Sequence, residues 1–304
     1  MHSGILVPVT RVALFGSSGM LGSAMAKFFE IQGFEVIEFN RSGNPVIGKN
    51  KVVKFDVCTT SDLQKKVLIS NVDVIVNAVG MIRQIIDESS AVSIKRAFQI
   101  NSDFPRTLDE LSVKSSIPVI QIGTDCVFSG SHGNYVESSK FDPKDVYGKS
   151  KLEGESLSRN TITIRTSVIG KELNSSNSLL DWVLNQEKNA IVKGYTNHYW
   201  NGVTTLHFAK VVTGIILNGA YNLKVHHLVP SNIVSKFDLI KVIAETFDRE
   251  DLEIIEHRTD ISINRTLSTN DFSQNSIFWR WAGYNQAPSI EAMVDEFANS
   301  SNFV

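Results

Sequence analysis

The chain has 304 residues, 42% of them hydrophobic, enough for one large globular domain or two lobes with sizeable cores. Its formal net charge is −2, so nothing draws it to nucleic acid or to an anionic membrane surface, and no apolar run approaches the length of a transmembrane helix. Met1–Val9 lacks the basic-then-apolar order of a secretion signal, and Cys58 and Cys126 stand outside any Cys-x-x-Cys or metal spacing, so both read as reduced thiols of a cytoplasmic protein.

The elements follow in chain order. Arg11–Phe15 is a short apolar strand, and Met20–Gln32 is a helix with Met20, Leu21, Ala24, Phe28 and Ile31 along one side. Glu35–Phe39 and Lys51–Phe55 are strands. Ser61–Leu68 is a helix with Ser61 as its N-cap. Val72–Val76 is almost all β-branched, as a parallel strand buried on both faces requires. A long helix from about Ser90 to Lys114 precedes strands at Pro118–Ile122 and Thr161–Arg165. Strands separated by helix-length segments predict an α/β fold with a Rossmann-like doubly wound parallel sheet. After Gly170 the pattern loosens into helices at Ser178–Glu187, Thr205–Leu217, Lys236–Phe247 and Ser289–Asn299, with short strands at Val225–Val229 and Leu252–Ile255. This predicts a cofactor domain over 1–170 and a smaller α/β C-terminal lobe over 171–304, some of whose segments return to the sheet.

The first strand runs into Gly16-Ser17-Ser18-Gly19-Met20-Leu21-Gly22. Glycine permits a turn with positive φ and close backbone approach to a pyrophosphate, and the helix that follows offers free N–H groups and the positive end of its dipole. The strand–turn–helix context makes Gly16, Ser18, Gly19, Met20, Leu21 and Gly22 candidate cofactor contacts; the competing reading is a tight turn with no ligand. Where an acidic residue would select NAD, the second strand ends in Asn40-Arg41-Ser42. Arg41 can pair with a 2′-phosphate and Ser42 can add a hydrogen bond, which favours NADP and leaves NAD open; a solvated turn arginine is the plain alternative. Asp56 and Val57 follow the third strand, where a carboxylate can meet the adenine amino group. Asn77-Ala78-Val79-Gly80 ends the fourth with residues small enough to pass close to a cofactor. Ordinary turn chemistry explains either run equally well.

Tyr147-Gly148-Lys149-Ser150-Lys151 puts a phenol and an ammonium four residues apart, on one helix face. A nearby ammonium favours phenolate, so Lys151 is expected to lower the pKa of Tyr147 from its usual value near 10 and make it a general acid or base for a carbonyl/alcohol pair. Thr124, at the end of the fifth strand, places a hydroxyl to hold the carbonyl oxygen. Both groups then stand at the carboxyl ends of parallel strands, where such sheets bind ligands. Asn101, inside the long helix, has an amide able to hold a backbone carbonyl or a water; the alternative is a helix irregularity.

Together these residues resemble the extended short-chain dehydrogenase/reductases, and most of all the dTDP-4-dehydrorhamnose reductase group. The likeness rests on Gly16–Gly22, Asn77–Gly80, Asn101, Gly123-Thr124-Asp125-Cys126-Val127-Phe128-Ser129-Gly130, Tyr147–Lys151 with Leu152-Glu153-Gly154-Glu155, Ile164-Arg165-Thr166-Ser167 and Asn201–Leu206. It spans roughly residues 11 to 217. It implies NAD(P)H-dependent reduction of a nucleotide-linked keto sugar in polysaccharide or deoxysugar biosynthesis. Hydride would go to the keto carbon, Tyr147 would protonate the alkoxide, Thr124 would bind the carbonyl, and Lys151 would tune Tyr147 and grip the ribose. It also implies a homodimer, and a sugar site that includes Met81, Arg83, Thr124, Asp125, Cys126, Val168, Trp200 and Asn201.

Two positions depart from the group. Cys126 stands where a tyrosine is usual and Val168 where a tryptophan is frequent, both beside the sugar. Smaller side chains enlarge that part of the pocket, which points away from dTDP-4-dehydrorhamnose toward a bulkier sugar such as a UDP-linked 2-acetamido keto hexose. Arg83 is equally a solvated loop residue, and Trp200 equally a packing residue. His226-His227 is not metal spacing, because neighbours on a strand point to opposite sides, and no protein-bound metal is expected. Two further readings share these motifs: an NDP-sugar epimerase or dehydratase holding NAD tightly, and a non-enzymatic regulatory subunit like the beta subunit of methionine adenosyltransferase.

Overall fold

Residues 12–15 alternate between two apolar layers: Val12 and Leu14 join one core, Ala13 and Phe15 the other. A strand buried on both faces belongs inside a parallel sheet covered on each side by helices, and the chain builds that sheet. The computed structural model describes residues 9–155, 158–173, 176–222 and 224–300; residues 1–8 of the expected non-signal N-terminus lie outside it.

The first half contains β1 (Arg11–Phe15), α1 (Met20–Ile31), β2 (Glu35–Asn40), β3 (Lys51–Lys54), α2 (Leu63–Ser70), β4 (Val74–Asn77), α3 (Ala91–Phe98), α4 (Phe104–Ser115), β5 (Val119–Ile122), α5 (Val146–Glu153) and β6 (Thr161–Arg165). The second half contains β7 (Val168–Ile169), α6 (Leu179–Leu184), β8 (Ile191–Tyr195), β9 (His198–Trp200), β10 (Val203–Thr204), α7 (Thr205–Asn218), β11 (Val225–His227), β12 (Val234–Ser235), α8 (Lys236–Thr246), β13 (Glu253–His257), β14 (Ile263–Asn264), α9 (Phe272–Trp281) and α10 (Ile290–Ala298).

The main sheet has seven strands in the order β11-β6-β5-β4-β1-β2-β3, with every pairing parallel. Strand order turns back between β1 and β4, which opens a crevice above their carboxyl ends. On one face α1 packs against α7. On the other, Phe15, Phe39, Phe55 and Phe104 form a ring cluster in which Phe15 stacks on Phe39 at 4.3 Å between centroids. β11 comes from the second half and closes the sheet against β6, so a C-terminal segment does return to it. Smaller sheets, β12-β9-β14 and β8-β13, lie outside the main one.

Several expectations are corrected. The second helix begins at Leu63 with Asp62, not Ser61, at its N-cap position. The long helix is broken into α3 and α4 by a π turn over Gln99–Asp103, and a π turn in a long helix is a frequent mark of a functional position. Helix α9 is not among the expected helices, and the two- and three-residue strands of the second half carry too short a pattern to be read from periodicity.

Candidate active site

Gly16 has φ +83°, and a Cβ there would lie 2.8 Å from the carbonyl carbon of Ala78. At Gly22 a Cβ would come within 2.0 Å of the Gly16 carbonyl oxygen. Both contacts are closer than any side chain allows, so these glycines are what let β1, the turn and α1 nest against the end of β4. The N-cap of α1 is Gly19, no side chain caps the helix, and its first turn carries no acid. Its leading N–H groups and dipole end are left for an anion.

Above this turn is a cleft of about 360 Å3. Its walls include Gly16, Ser18, Gly19, Asn40, Arg41, Asp56, Val57, Ala78, Val79, Gly80 and Met81, which the sequence had singled out. Met20, Leu21, Gly22 and Ser42 are not among the lining residues. Ser42 donates instead to Asn40 Oδ1 at 3.0 Å and accepts from the Asn44 amide at 3.2 Å. Asn40 is itself buried, accepting from the Gly43 amide and donating to the Asn44 carbonyl, both at 2.9 Å. Asn40 and Ser42 therefore lock a turn that presents Arg41. Arg41 is exposed and has no ion pair among the described residues. A second guanidinium, Arg96 on α3, reaches the same cleft. Helical periodicity did not separate it from Lys95.

Helix α5 presents Tyr147. Its N-cap Asp145 accepts from the Gly148 amide at 2.8 Å. A Cβ on Gly148 would meet the Cys126 carbonyl oxygen at 2.2 Å, and one on Gly154 the Asn101 carbonyl oxygen at 2.0 Å. Glycine at both ends lets α5 sit against the 125–127 turn and the π turn, which brings the Tyr147 phenol into hydrogen-bonding interaction with Thr124. Thr124 follows β5 directly, and its hydroxyl also accepts from the Cys126 amide at 3.2 Å.

The electrostatics differ from the expectation. Burial pushes the Tyr147 phenol well up from its usual value; the adjoining Cys126, Asp125 and Asp145 push the same way and Thr124 opposes them. The Lys151 ammonium is buried and donates to the Ile122 carbonyl at 2.6 Å. Burial brings Lys151 down to about 8, and the Glu155 carboxylate resists that shift. Glu155 in turn holds Arg165 through two bonds of 2.5 and 2.7 Å.

Asn101 clamps the site from behind. It accepts from the Met81 amide at 2.8 Å and donates to the Met81 carbonyl and to Ser150 Oγ, both at 3.0 Å. Ser150 donates onward to the Tyr147 carbonyl at 3.0 Å. Asn101 thus ties the end of the 77–81 segment to α5, and the helix irregularity proves to be the means of placing it.

The expected sugar residues divide. Asp125 and Cys126 stand beside Thr124 and Tyr147. Arg83 instead pairs with Asp145 at 3.4 Å and steadies the start of α5. Asn201 is buried and bonded both ways to the Leu267 backbone, at 2.7 and 2.9 Å. Trp200 is buried with its indole N–H donated to Ser167 Oγ at 2.8 Å, and half-buried Val168 packs against the larger core. Asn201 is thus tied to the framework by both of its amide groups, while the Arg83 side chain stays largely exposed. Lys236 and Arg265, which no motif marked, act electrostatically on Asp125. Cys58 and Cys126 are free thiols. Among the described residues no helix is long and apolar enough to cross a membrane.

A doubly wound sheet, an uncapped helix behind a glycine turn and a cleft at the strand-order reversal define a Rossmann-like α/β protein of the dinucleotide-binding class. The chain belongs to the family described as the RmlD substrate binding domain, which matches residues 10–269. It is 25% identical to a dTDP-4-dehydrorhamnose reductase of Aggregatibacter actinomycetemcomitans over 276 residues, covering 87% of this chain and 86% of that protein. It is 26% identical over 151 residues to methionine adenosyltransferase 2 subunit beta of Bos taurus, covering 49% of this chain and 42% of that one. A dTDP-4-dehydrorhamnose reductase from Bacillus anthracis, solved with NADP, superposes with a TM-score of 0.76 over 97% of this chain and 100% of its own; at 18% identity that likeness speaks to the fold.

Proposed function

We propose that this chain binds NADP(H) above the glycine turn and reduces the ketone of a nucleotide-linked sugar. The observation that carries the reading is the meeting of Thr124, Tyr147 and Lys151 at the carboxyl end of β5, next to β4, whose following segment walls a cleft bearing Arg41 and Arg96. The leading N–H groups of α1 take the pyrophosphate, and Arg41 and Arg96 take the 2′-phosphate. The nicotinamide, when bound, supplies the hydride.

The remaining chemistry belongs to side chains. Thr124 donates to the ketone oxygen. Tyr147 passes its phenolic proton to that oxygen as negative charge develops. Burial keeps the phenol protonated at neutral pH, the form a reductase needs before each turnover. Lys151 places a positive charge behind it. Asn101, Arg83 and Asp145 position α5. Residues 1–170 hold the cofactor and 171–304 face the sugar nucleotide. Free Cys58 and Cys126 support a reducing compartment for the reaction. The small side chain of Cys126 supports a sugar with a bulky substituent, such as a UDP-linked 2-acetamido keto hexose.

The test is loss of nicotinamide absorbance when purified chain and NADPH or NADH meet dTDP- and UDP-linked 4-keto hexoses. Turnover that prefers NADPH supports the reading. No turnover with any keto sugar nucleotide, despite NADPH binding, overturns it.

A further inference from the structure

The three-stranded sheet β12-β9-β14 puts an unusual set of side chains on one face. Register pairs Val234 with Trp200 and Ile263 with His198. Alternation along each strand then sets His198, Trp200 and Arg265 on the same side, and Lys236, one residue past β12, joins them. The Lys236 ammonium stands 5.2 Å from the Trp200 ring centroid. Arg265 donates to the Phe128 carbonyl at 3.0 Å, just beyond the Thr124–Asp125–Cys126 turn. Lys236 and Arg265 both act on Asp125, which itself acts on Tyr147. The cationic face is therefore close to the reacting groups, and neither cation is among the residues lining the cofactor cleft.

Lys236 is badly placed for stability. It is the first residue of α8, where the helix dipole repels a cation. It has no ion pair within salt-bridge distance and no hydrogen bond among the described residues, although Asp125 is near enough to bias its titration. Burial brings it down to about 8, against the pull of Asp125 and Cys126. A methionine or leucine would pack there at less cost. Lys236, a half-buried cation at the positive end of a helix dipole with only the Trp200 ring beside its ammonium, has no anionic partner in salt-bridge contact and marks a place where one can arrive with the substrate.

We propose that Lys236 and Arg265 form an anion pole that sets substrate specificity, gripping an oxyanion carried by the sugar nucleotide on the far side of the ring from the nicotinamide. Asp125 keeps the two cations apart from Tyr147 and accepts from sugar hydroxyls. The shared chemistry is an anionic oxygen group, and two parts of a substrate supply it: the phosphate nearest the sugar, or a carboxylate on the sugar itself. The inference deepens the reductase reading, and its test needs binding alone, so it fails or stands separately from turnover.

The probes are UDP-glucose and UDP-glucuronate, titrated calorimetrically into the chain saturated with NADP, for the unaltered protein, Lys236→Met and Arg265→Gln. Loss of one charge-assisted contact weakens binding about tenfold or more. Equal weakening of both probes supports the pole and assigns it to the phosphate. Selective weakening of UDP-glucuronate supports it and assigns it to a sugar carboxylate. Lys236→Met should also melt at the same or a higher temperature, which a lysine kept for structure would not allow. Binding of both probes by Lys236→Met within twofold of the unaltered chain, a lowered melting temperature in that variant, or no binding of either probe by the unaltered chain overturns the proposal.

Discussion

Replacing Asn101 by alanine tests the site without touching a reacting group. The amide makes three buried bonds, to both backbone groups of Met81 and to Ser150 Oγ. Ser150 keeps its bond to the Tyr147 carbonyl, so its loss is the smaller one. Met81 is buried, so its N–H and carbonyl are left without partners. At about 1–3 kcal/mol for each stranded group, the cost is about 2–6 kcal/mol, a large part of the ~5–15 kcal/mol by which folded proteins are stable. For a chain of this size, Asn101→Ala should lower Tm by about 3–9 °C in a calorimetric scan. The freed 77–81 segment and α5 then lose register, so kcat should fall while the chain still binds NADPH. Asn101→Asp keeps the acceptor for the Met81 amide and faces the Met81 carbonyl with a carboxylate, so it should not rescue either effect. An Asn101→Ala protein melting within about 2 °C of the parent with unchanged kcat would refute the clamp.

Three more outcomes are expected. Tyr147→Phe removes the proton donor and leaves the ring, so kcat should fall about 10²–10⁴-fold with NADPH affinity preserved by fluorescence titration; retained turnover would remove Tyr147 from the chemistry. Arg41→Ala should weaken NADPH about tenfold and NADH hardly at all, with Arg41→Ala/Arg96→Ala weaker still; equal losses for the two cofactors would break the 2′-phosphate assignment. Lys151 and Lys236 both titrate near 8 when folded against 10.5 for an ordinary lysine. The unfolded chain therefore binds more protons in that window, and stability should rise with pH from about 8. Cys126 and Tyr147, both pushed up, act oppositely above their ordinary values of 9.0 and 10.0, so the rise is read by denaturant titration between about pH 8 and 9. Lys151→Met/Lys236→Met should flatten it; an unchanged slope would mean neither lysine is desolvated.

The sequence by itself determined what local rules control. The apolar β1 run, the glycines after it and the helix that follows specify a strand, a tight turn and an open helix end within one stretch of chain. Tyr147 and Lys151 share a face because four residues make about one helical turn. Tertiary structure decided what depends on distant chain segments meeting. That Lys151 reaches the Ile122 carbonyl, Asn201 the Leu267 backbone and Arg83 the Asp145 carboxylate turned on contacts no spacing records. Arg96, Lys236 and Arg265 carry no motif, and only the packing of α3 and the register of two- and three-residue strands brings them toward the site. The physical reason is range. Backbone sterics and helix periodicity act within a few residues, whereas burial and charge pairing, which set the acidity of this site, come from neighbours that only the folded chain supplies.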